Sequence, residues 1–454
     1  MLIAGLVCLV LAAYAGWWLL SALAFVLWLA HEAWLADHLF YSPRSDDLHQ
    51  LAPDWTRVAT VADGRLHVSD PLPPADTVVL EGRVEAGFSG RFFDPWLCLA
   101  DRRFDFERGC HGRRFLALDA SRLGESSGPI PLHPGHCRLA GEVRIHGFRQ
   151  PDYAGKRLLI VAPHADDAEL AAFGLYQRAD DVMIVTLTQG ETEAGHYEAL
   201  GLGEAQAARL KGRLRSWDSM AIPLWGDVSQ DHCLQMGYFC MQLQAMRAAP
   251  DTPQGSRLSG ESDIRAARCW NSQTLPGDVD GKPTWRNLVA DLSAILGQYS
   301  PEIVVLPHPV VDPHPDHVAA AAAVAEAVRD SQVRIAHYLL YANHLHDNDR
   351  WPMGPAGGGI TLPPRHVAGP AERYWINPLG EEQQLAKAMA LAMQHDLRPP
   401  LPFKKRLRRH IQCWLAGRRW PATGENEYFR KAVRAGELFA VTGSLDAVLP
   451  QLRS

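Results

Sequence analysis

The hydrophobic pattern of the chain begins with one long apolar run. Residues 1–30 contain no Asp, Glu, Lys, Arg or His, and about 20 apolar residues suffice to cross a bilayer. Trp17, Trp18, Trp28 and Trp34 lie at or near its ends, as in interfacial belts. A cleaved signal would have a basic start and a shorter apolar core. We therefore predict a transmembrane anchor over residues 1–30, with a buried soluble helix as the alternative.

The next region, residues 31–150, is typical of short strands. Apolar runs at 77–80 and 115–118 are bounded by Pro, Gly and Asp, and residues 143–146 alternate between apolar and polar. Alternation with period two predicts half-buried strands. We expect a small β-rich domain here, similar to a β-sandwich, and the pattern indicates no function for it.

From residue 151 to about 400, apolar runs alternate with helical patterns. Short continuous apolar runs at 158–161, 182–187 and 303–306 predict strands that are buried on both faces, and residues 333–341 are a fourth strand candidate. Residues 204–220 and 318–329 predict helices, whereas residues 225–285 show little period and predict long loops. This alternation predicts the α/β class, with an open, largely parallel sheet covered by helices on both faces.

Composition and charge exclude some classes of protein. The chain is 47% hydrophobic and 21% charged, with a formal net charge of -6, which excludes a strong general attraction to nucleic acid. The eight cysteines contain no C-x-x-C motif, which favours free thiols, although Cys98, Cys110 and Cys137 could pair in an oxidising compartment. Positive charges near the anchor favour a cytoplasmic body on an inner membrane.

Two short motifs carry candidate chemistry. Pro163-His-Ala-Asp-Asp167 directly follows the predicted strand 158–161, and His314-Pro-Asp-His317 follows the strand 303–306. The carboxyl ends of parallel strands line one crevice, so the two segments are expected to meet there. Each motif alone is weak, because the first is also typical of a solvated or helix-capping loop and the second of a turn with a cap.

The residue types suit a catalytic metal site. Zinc binds imidazole nitrogen and carboxylate oxygen, and a catalytic site uses three protein ligands. His164, Asp167 and His317 are the candidate ligands, which leaves Asp166 free to act as a general base. His314 is a candidate to stabilise an oxyanion, and Asp316 to orient an imidazole.

These motifs resemble those of the PIG-L/LmbE-type zinc-dependent de-N-acetylases over about residues 154–345. Thr188-Gln-Gly-Glu191 is similar to the T-x-G-E turn of that family, and Arg215 with Asp218 is similar to its Arg-x-x-Glu element. The resemblance implies a Rossmann-like fold, one Zn²⁺ and hydrolysis of an N-acetyl group on a sugar. It gives the ligand role to His164, Asp167 and His317, the base to Asp166 and the oxyanion role to His314.

The chain also departs from the pattern of that family. Ala165 stands where Pro is usual, Ala168 follows the second Asp where Glu is usual, and Glu169 comes one position late. The usual Gly-Gly is reduced to Phe173-Gly174, and Gln394-His-Asp396 replaces a His followed by Ser-Gln. These changes leave the candidate ligands intact and affect the residues around them and the fit of the substrate.

The last region, residues 401–454, contains a basic amphipathic stretch. Phe403, Leu407, Ile411 and Trp414 recur at helical spacing, and Lys404, Lys405, Arg408 and Arg409 lie on other faces. An ordinary surface helix is one interpretation. The other is contact with an anionic membrane or with phosphates of a lipid-linked glycan.

Together these features predict a membrane-anchored zinc hydrolase that removes the acetyl group of an N-acetylated amino sugar. The anchor favours a glycolipid, a lipopolysaccharide precursor or another lipid-linked saccharide as substrate. Arg215 and Glu191 are further candidates for contact with substrate or ligands. Two alternatives remain open: a non-catalytic glycan-binding protein with a degenerate site, and a zinc hydrolase that acts on an ester or a phosphate.

Overall fold

The computed structural model describes residues 2–36, 42–123, 128–345, 350–367 and 369–449. The helices are α1 Leu2–Ala30, α2 Asp167–Tyr176, α3 Gly195–Glu198, α4 Glu204–Ala221, α5 Leu243–Ala248, α6 Trp285–Tyr299, α7 Pro315–Ser331, α8 Glu381–Met393, α9 Phe403–Ala416 and α10 Glu427–Ala432. The strands of the first half are β1 Trp55–Ala62, β2 Arg65–Val68, β3 Thr77–Ala86, β4 Trp96–Leu99, β5 Arg102–Asp105, β6 His111–Asp119, β7 Ile130–Gly135 and β8 Cys137–Phe148. Those of the second half are β9 Arg157–Ala162, β10 Asp181–Thr188, β11 Cys233–Tyr238, β12 Ile303–Pro307, β13 His337–Tyr341, β14 Ile360–Thr361, β15 Arg373–Pro378 and β16 Gly436–Thr442.

α1 is long and apolar enough to cross a membrane. A candidate span covers Ala13–Leu35, and the apolar window that defines it is not buried within the protein. An apolar helix whose side chains face outward is not the core helix of a soluble domain, because such a helix would be covered by its neighbours. The N-terminal apolar helix is therefore present as expected, and it is a candidate for a membrane anchor or a signal sequence.

The predicted β-rich region forms an antiparallel sheet of nine strands. Their order is β14-β6-β3-β8-β1-β2-β7-β4-β5, so the region is one continuous sheet where a sandwich was expected. β14 comes from the second half of the chain and pairs with β6 through Ile360 and Ala117. Apolar residues that alternate along the strands, such as Val143 and Ile145 of β8, are fully buried, as their period-two pattern predicts.

The second sheet is mixed rather than wholly parallel. Its order is β11-β10-β9-β12-β13-β16-β15. The first five strands are parallel, and β16 and β15 add an antiparallel edge. The α/β class is confirmed, and the expected open parallel sheet is found only for these five strands.

β11 lies in the region 225–285, which was expected to consist of loops. Polar Gln235 interrupts its apolar pattern, yet the side chain is fully buried. Its amide nitrogen donates to Ser219 Oγ over 3.1 Å, and its amide oxygen accepts from Gly237 N. A buried amide with satisfied partners fits a strand interior but hides the strand from a hydrophobicity pattern.

The two sheets share one hydrophobic core. Val79, Phe115 and Phe148 of the first sheet pack in the same cluster as Leu159 and Val161 of β9. The Ile376 N–H of β15 donates to Thr77 Oγ1 over 2.9 Å. β16 also belongs to the second sheet, although it lies beyond residue 400, the predicted end of the α/β domain. The boundaries 1–30, 31–150, 151–400 and 401–454 stay predictions.

The seven described cysteines outside α1 carry free thiols, among them Cys98, Cys110 and Cys137. Burial raises the pKa of the Cys137 thiol to about 12. Free, protonated thiols agree with the interpretation that these residues do not form a disulfide framework.

A buried ion pair attaches α2 to the second sheet. Lys387 Nζ of α8 lies 2.8 Å from Glu437 Oε1 of β16, and the same carboxylate accepts from Gly174 N and Leu175 N of α2. Glycine at 174 lets α2 pack closely on Leu379, because a Cβ there would meet Leu379 Cδ2. The pair therefore holds the helix that begins at the candidate site.

We predict that Lys387→Met destabilises the protein by about 3–5 kcal/mol, because it leaves the Glu437 carboxylate buried without its cation. The midpoint of chemical denaturation would measure this. Lys282→Met is the matched control, since its side chain is 59% exposed, and we expect little change. Equal midpoints for the two variants would contradict the role of the pair.

Candidate metal centre and active site

The two predicted motifs meet at the carboxyl edge of the parallel strands. The loop 163–166 follows β9 and leads into α2, and the loop 308–314 follows β12 and leads into α7. β9 and β12 are direct neighbours in the sheet. Because parallel neighbours end at the same edge, their loops face each other across one crevice.

Three predicted ligand atoms converge on one point. His164 Nδ1 lies 3.2 Å from Asp167 Oδ2, and His317 Nε2 lies 3.2 Å from the same oxygen. The two imidazole nitrogens are 3.3 Å apart. Donors about 2.1 Å from a tetrahedral ion would stand about 3.4 Å apart, so the triangle has the size that such an ion requires.

Outer carboxylates contact the far nitrogen of each imidazole. His164 Nε2 lies 3.2 Å from Asp316 Oδ2, and His317 Nδ1 lies 2.9 Å from Asp312 Oδ2. A carboxylate at the far nitrogen keeps the proton there and turns the lone pair of the other nitrogen inward. The lone pairs that face the centre of the triangle then need a cation between them.

The donor set therefore fits a divalent metal ion. Within the described residues, three overlapping groups could hold one: His164 with His314 and His317, His164 with Cys240 and Asp316, and Asp167 with His317 and His344. His164 and His317 belong to most of these groups, and both are buried. Mixed imidazole and carboxylate donors suit zinc and several other transition metals.

The charges in the site act on one another strongly. Burial would lower the pKa of His317, but Asp167 and Asp312 raise it to about 10. Burial would raise the pKa of Asp167, but the His317 and His164 imidazoles hold it well below its usual range. The pocket thus keeps a carboxylate ionised in the interior, where only a bound cation or protonated imidazoles can balance it.

Asp166, the predicted general base, is in none of the groups of described residues that could hold a metal ion. It is the N-cap residue of α2, but its side chain makes no capping hydrogen bond. Its Oδ1 instead accepts from Arg215 Nη2 of α4 over 2.8 Å. The Asp166 side chain therefore does not cap α2, which was the alternative interpretation of the first motif.

Arg215 joins Asp166 to a second carboxylate. Its Nη1 lies 2.8 Å from Asp396 Oδ2, and Lys211 Nζ lies 2.7 Å from Asp396 Oδ1. Burial would lower the pKa of Arg215, but Asp166 and Asp396 raise it above its ordinary value. The guanidinium therefore stays charged and fixes the direction of the Asp166 carboxylate.

His314 is a neutral donor at the edge of the site. Its Nδ1 accepts from Asp316 N over 3.3 Å and so caps α7. Burial and the neighbouring imidazoles lower its pKa to about 4. Because Nδ1 is an acceptor, the proton of the neutral ring is on Nε2. His314 can therefore stabilise an oxyanion by donating a hydrogen bond, but not as a cation.

The departures from the family pattern are accommodated around the site. Glu169 is fully buried and accepts from Tyr176 OH and Gln394 Nε2. Burial raises its pKa to about 8. Gln394 also donates to Ala165 O over 2.9 Å, which ties the first motif to the end of α8. Glu169 and Gln394, which both depart from the family pattern, thus contact each other.

The remaining predicted residues lie beside the ligands. Glu191 is buried and its Oε2 accepts from Cys240 N over 3.1 Å. Asp218 contacts His395, with 2.6 Å between Asp218 Oδ1 and His395 Nδ1. Both carboxylates hold the loops that surround the ligands, and neither joins the groups that could bind a metal ion.

The four residues of α9 that were predicted to contact a membrane divide into two pairs. Lys404 and Lys405 are exposed. Arg408 Nε donates to Glu32 Oε2 over 2.6 Å, and Arg409 pairs with Glu427 and stacks on Trp420. The two arginines thus have partners within the protein. Contact of the four residues with an anionic membrane stays a prediction.

Four residues near the ligands were not predicted: Asp312, Cys240, Asn343 and His344. Asn343 Nδ2 donates to Asp167 Oδ1 over 2.7 Å, and both Asn343 and His344 follow β13. Residues 333–341 were predicted to form a strand, and residues just after a parallel strand lie at the same edge of the sheet. This signal could have identified Asn343 and His344. Cys240 follows β11, which the pattern did not predict.

We predict that Asp312→Asn weakens zinc binding about 10–100-fold, because the outer carboxylate orients His317 and supports its charge. Competition with a fluorescent chelator would measure the Kd. Asp446→Asn is a control, since that side chain is 67% exposed. An unchanged Kd in Asp312→Asn, with an unchanged unfolding midpoint, would contradict this role.

Comparisons with known proteins agree with the motifs. The family model described as PIG-L, GlcNAc-PI de-N-acetylase, matches residues 159–328. A comparison with curated protein sequences found no significant match. The matched segment begins in β9, ends in α7 and includes the motifs 163–167 and 314–317.

The solved structures that match this chain do so at low identity. The N,N'-diacetylchitobiose deacetylase of Pyrococcus horikoshii is 14% identical, with a TM-score of 0.33 over 65% of this chain and 85% of that one. A conserved protein of Thermus thermophilus is 17% identical, with a TM-score of 0.29 over 57% and 87%. The hydratase GalB of Pseudomonas putida is 14% identical, with a TM-score of 0.28 over 63% and 95%. On the evidence of the family model, residues 159–328 are a domain of the PIG-L, or GlcNAc-PI de-N-acetylase, family.

Proposed function

We propose that the protein is a zinc-dependent hydrolase that removes the acetyl group of an N-acetylated amino sugar. One observation carries this proposal: His164, Asp167 and His317 converge as a triangle of donors while Asp166 stays outside it. A metal-binding triangle with an adjacent free carboxylate is the arrangement of a metal-assisted hydrolase. The family of residues 159–328 makes the amide of an N-acetyl sugar the favoured bond.

His164, Asp167 and His317 would hold the zinc ion. When bound, zinc would polarise the acetamide carbonyl and make water more acidic. The imidazoles are fixed by Asp316 and Asp312 at their far nitrogens. Three protein ligands would leave the bound ion a further position for water or substrate, as catalytic zinc sites require.

Asp166 would accept the proton of the attacking water at a carboxylate oxygen. Arg215 holds Oδ1 of Asp166, which leaves Oδ2 to act as the base. His314 Nε2–H would donate to the carbonyl oxygen as negative charge develops there. The amine leaves after it is protonated, and the products are acetate and a free amino sugar.

We propose that α1 anchors the protein in the inner, cytoplasmic membrane as a single span, with the body on the cytoplasmic side. The apolar window of the candidate span Ala13–Leu35 is not buried within the protein, and Glu32, near the end of the span, contacts the body. The substrate would then be lipid-linked, as in a glycolipid or a lipopolysaccharide precursor, since tethering raises the local concentration of membrane-bound partners. We also assign the five parallel strands to a Rossmann-like core.

Mass spectrometry of glycolipids tests substrate and reaction together. Cells that express the protein should contain a glycolipid lighter by C₂H₂O per sugar than the same lipid in cells without it. Cells that express Asp166→Asn are the control and should resemble cells without the protein. Identical lipid profiles in all three, with full zinc content in the purified protein, would reject deacetylation of a lipid-linked sugar.

A further inference from the structure

The segment that follows α1 is docked on the body of the protein. It forms a π-helical turn over His31–Leu35, in which Glu32 and Ala33 are buried. Arg408 Nε donates to Glu32 Oε2 over 2.6 Å, and Arg108 Nη1 donates to Ala33 O over 3.1 Å. The apolar helix therefore passes into the body without a free linker, so the surface around this junction lies beside the membrane if α1 spans it.

Aromatic side chains extend outward from this junction. Trp34 Nε1 donates to Phe92 O over 2.9 Å, and the two rings are 6.1 Å apart. The Phe88 ring lies 5.7 Å from that of Phe92. Phe88 is 78% exposed. Because Trp34 lies within the candidate span Ala13–Leu35, its two neighbours lie close to the depth at which the chain leaves the bilayer.

α9 places a fourth exposed aromatic side chain close to the same junction. Gln412 Nε2 of this helix donates to Glu32 O, which packs the helix on the junction. Trp414 follows two residues later and is 90% exposed. Single exposed apolar residues are ordinary, but three aromatic rings in contact at the exit of an apolar helix, with a fourth on the adjoining helix, form a surface that calls for a partner.

We propose that Trp34, Phe88, Phe92 and Trp414 form an aromatic collar that inserts into the head-group region of the bilayer. Tryptophan and other amphipathic aromatic rings favour this depth, where one end of the ring is apolar and the other wet. Exposed Lys404 and Lys405 at the start of α9 add positive charge, which favours an anionic leaflet. The collar rests on the proposed anchor and adds that the body is held against the membrane in one orientation.

Spin labels on the full-length protein test the collar. Among the cysteines whose exposure the structure describes, Cys269 and Cys413 are exposed. Both are changed to Ser, and a nitroxide is attached to Phe88→Cys or Trp414→Cys. Reconstitution uses nanodiscs of phosphatidylcholine and phosphatidylglycerol in equal parts. The readout is the accessibility of the nitroxide to oxygen and to the water-soluble nickel complex Ni-EDDA, by power-saturation EPR.

Two further labels serve as references. Leu20→Cys lies in α1 at a position that is 63% exposed, and it reports the hydrocarbon if α1 is an anchor. Val279→Cys is 87% exposed and precedes α6, and it reports water. We expect the labels at positions 88 and 414 to be more accessible to oxygen and less accessible to Ni-EDDA than the label at 279.

The outcomes separate the collar from the anchor. Labels at 88 and 414 that match the label at 279, while the label at 20 reports lipid, would overturn the collar and leave the anchor intact. A label at 20 that reports water would overturn both. Low accessibility to both reagents at 88 and 414 would also overturn the collar, because a protein surface would then cover the patch. Acetate release is measured separately, so a failure of the proposed activity cannot be confused with any of these results.

Discussion

Asp166→Asn is expected to lower kcat about 10²–10⁴-fold and to leave the zinc content at that of the unaltered protein. The substitution keeps the shape of the side chain but removes its capacity to accept a proton, which is the contribution that general-base catalysis makes. Asp166 lies outside the triangle of His164, Asp167 and His317 and contacts Arg215 instead. Acetate release and elemental analysis of the same purified sample would measure both quantities.

Two further variants separate the base from an electrostatic role. Asp166→Ala leaves Arg215 charged beside an empty space, so added formate is expected to restore part of the activity as a small replacement carboxylate. Asp396→Asn removes the other carboxylate on Arg215 and is expected to cost much less, because Asp396 has no reacting proton to accept. Full activity of Asp166→Asn, or an equal loss in Asp396→Asn, would reject the assigned base.

His317→Ala is expected to release the metal and to abolish activity with it. If structural zinc affinity of about 10 kcal/mol is shared among three protein ligands, one ligand is worth roughly 3 kcal/mol, or about 10²-fold in Kd. His317 is fully buried and contacts both Asp167 and Asp312, so its removal takes away one donor of the triangle and the link between Asp312 and the ligands. Zinc retained after gel filtration against a chelator would measure the loss.

His308→Ala is the matched control. His308 is a buried histidine on the loop 308–314 that leads into α7, and its side chain contacts Glu372 and not the ligands. We expect this variant to lose stability but to keep its zinc. A comparison of unfolding midpoints then shows whether metal loss in His317→Ala follows from the missing ligand or from general unfolding. Equal zinc content in both variants would contradict the proposed ligand set.

The strands that carry the site could be predicted from the sequence because each is a short, continuous apolar run. The runs at 158–161 and 303–306 became β9 and β12, both fully buried except for Arg157 at the start of β9. Since neighbouring parallel strands end at one edge, the meeting of the two motifs followed from the order of the strands. His164, Asp167 and His317 follow these strands in the sequence, so short local motifs were enough to predict that they converge.

Other parts of the site depend on contacts that local pattern does not encode. Asp312 was not distinguished from an ordinary turn residue in a Pro-rich loop, although it lies against His317. Asp396 reaches Arg215 across a long sequence separation, from a segment that departs from the family pattern. β14 pairs with β6 through only two residues. Such contacts are selected by tertiary packing and leave little trace in hydrophobic period.

The position of β16 bears on the order in which the protein can mature during synthesis. β13 ends at residue 341, whereas β16, its neighbour in the sheet, begins at residue 436. The ribosome must add about 100 residues between them, which takes roughly 5–20 s. Glu437 also supplies the acceptors for Gly174 N and Leu175 N at the end of α2. A nascent chain would therefore wait, with one sheet edge unpaired, until β16 left the exit tunnel.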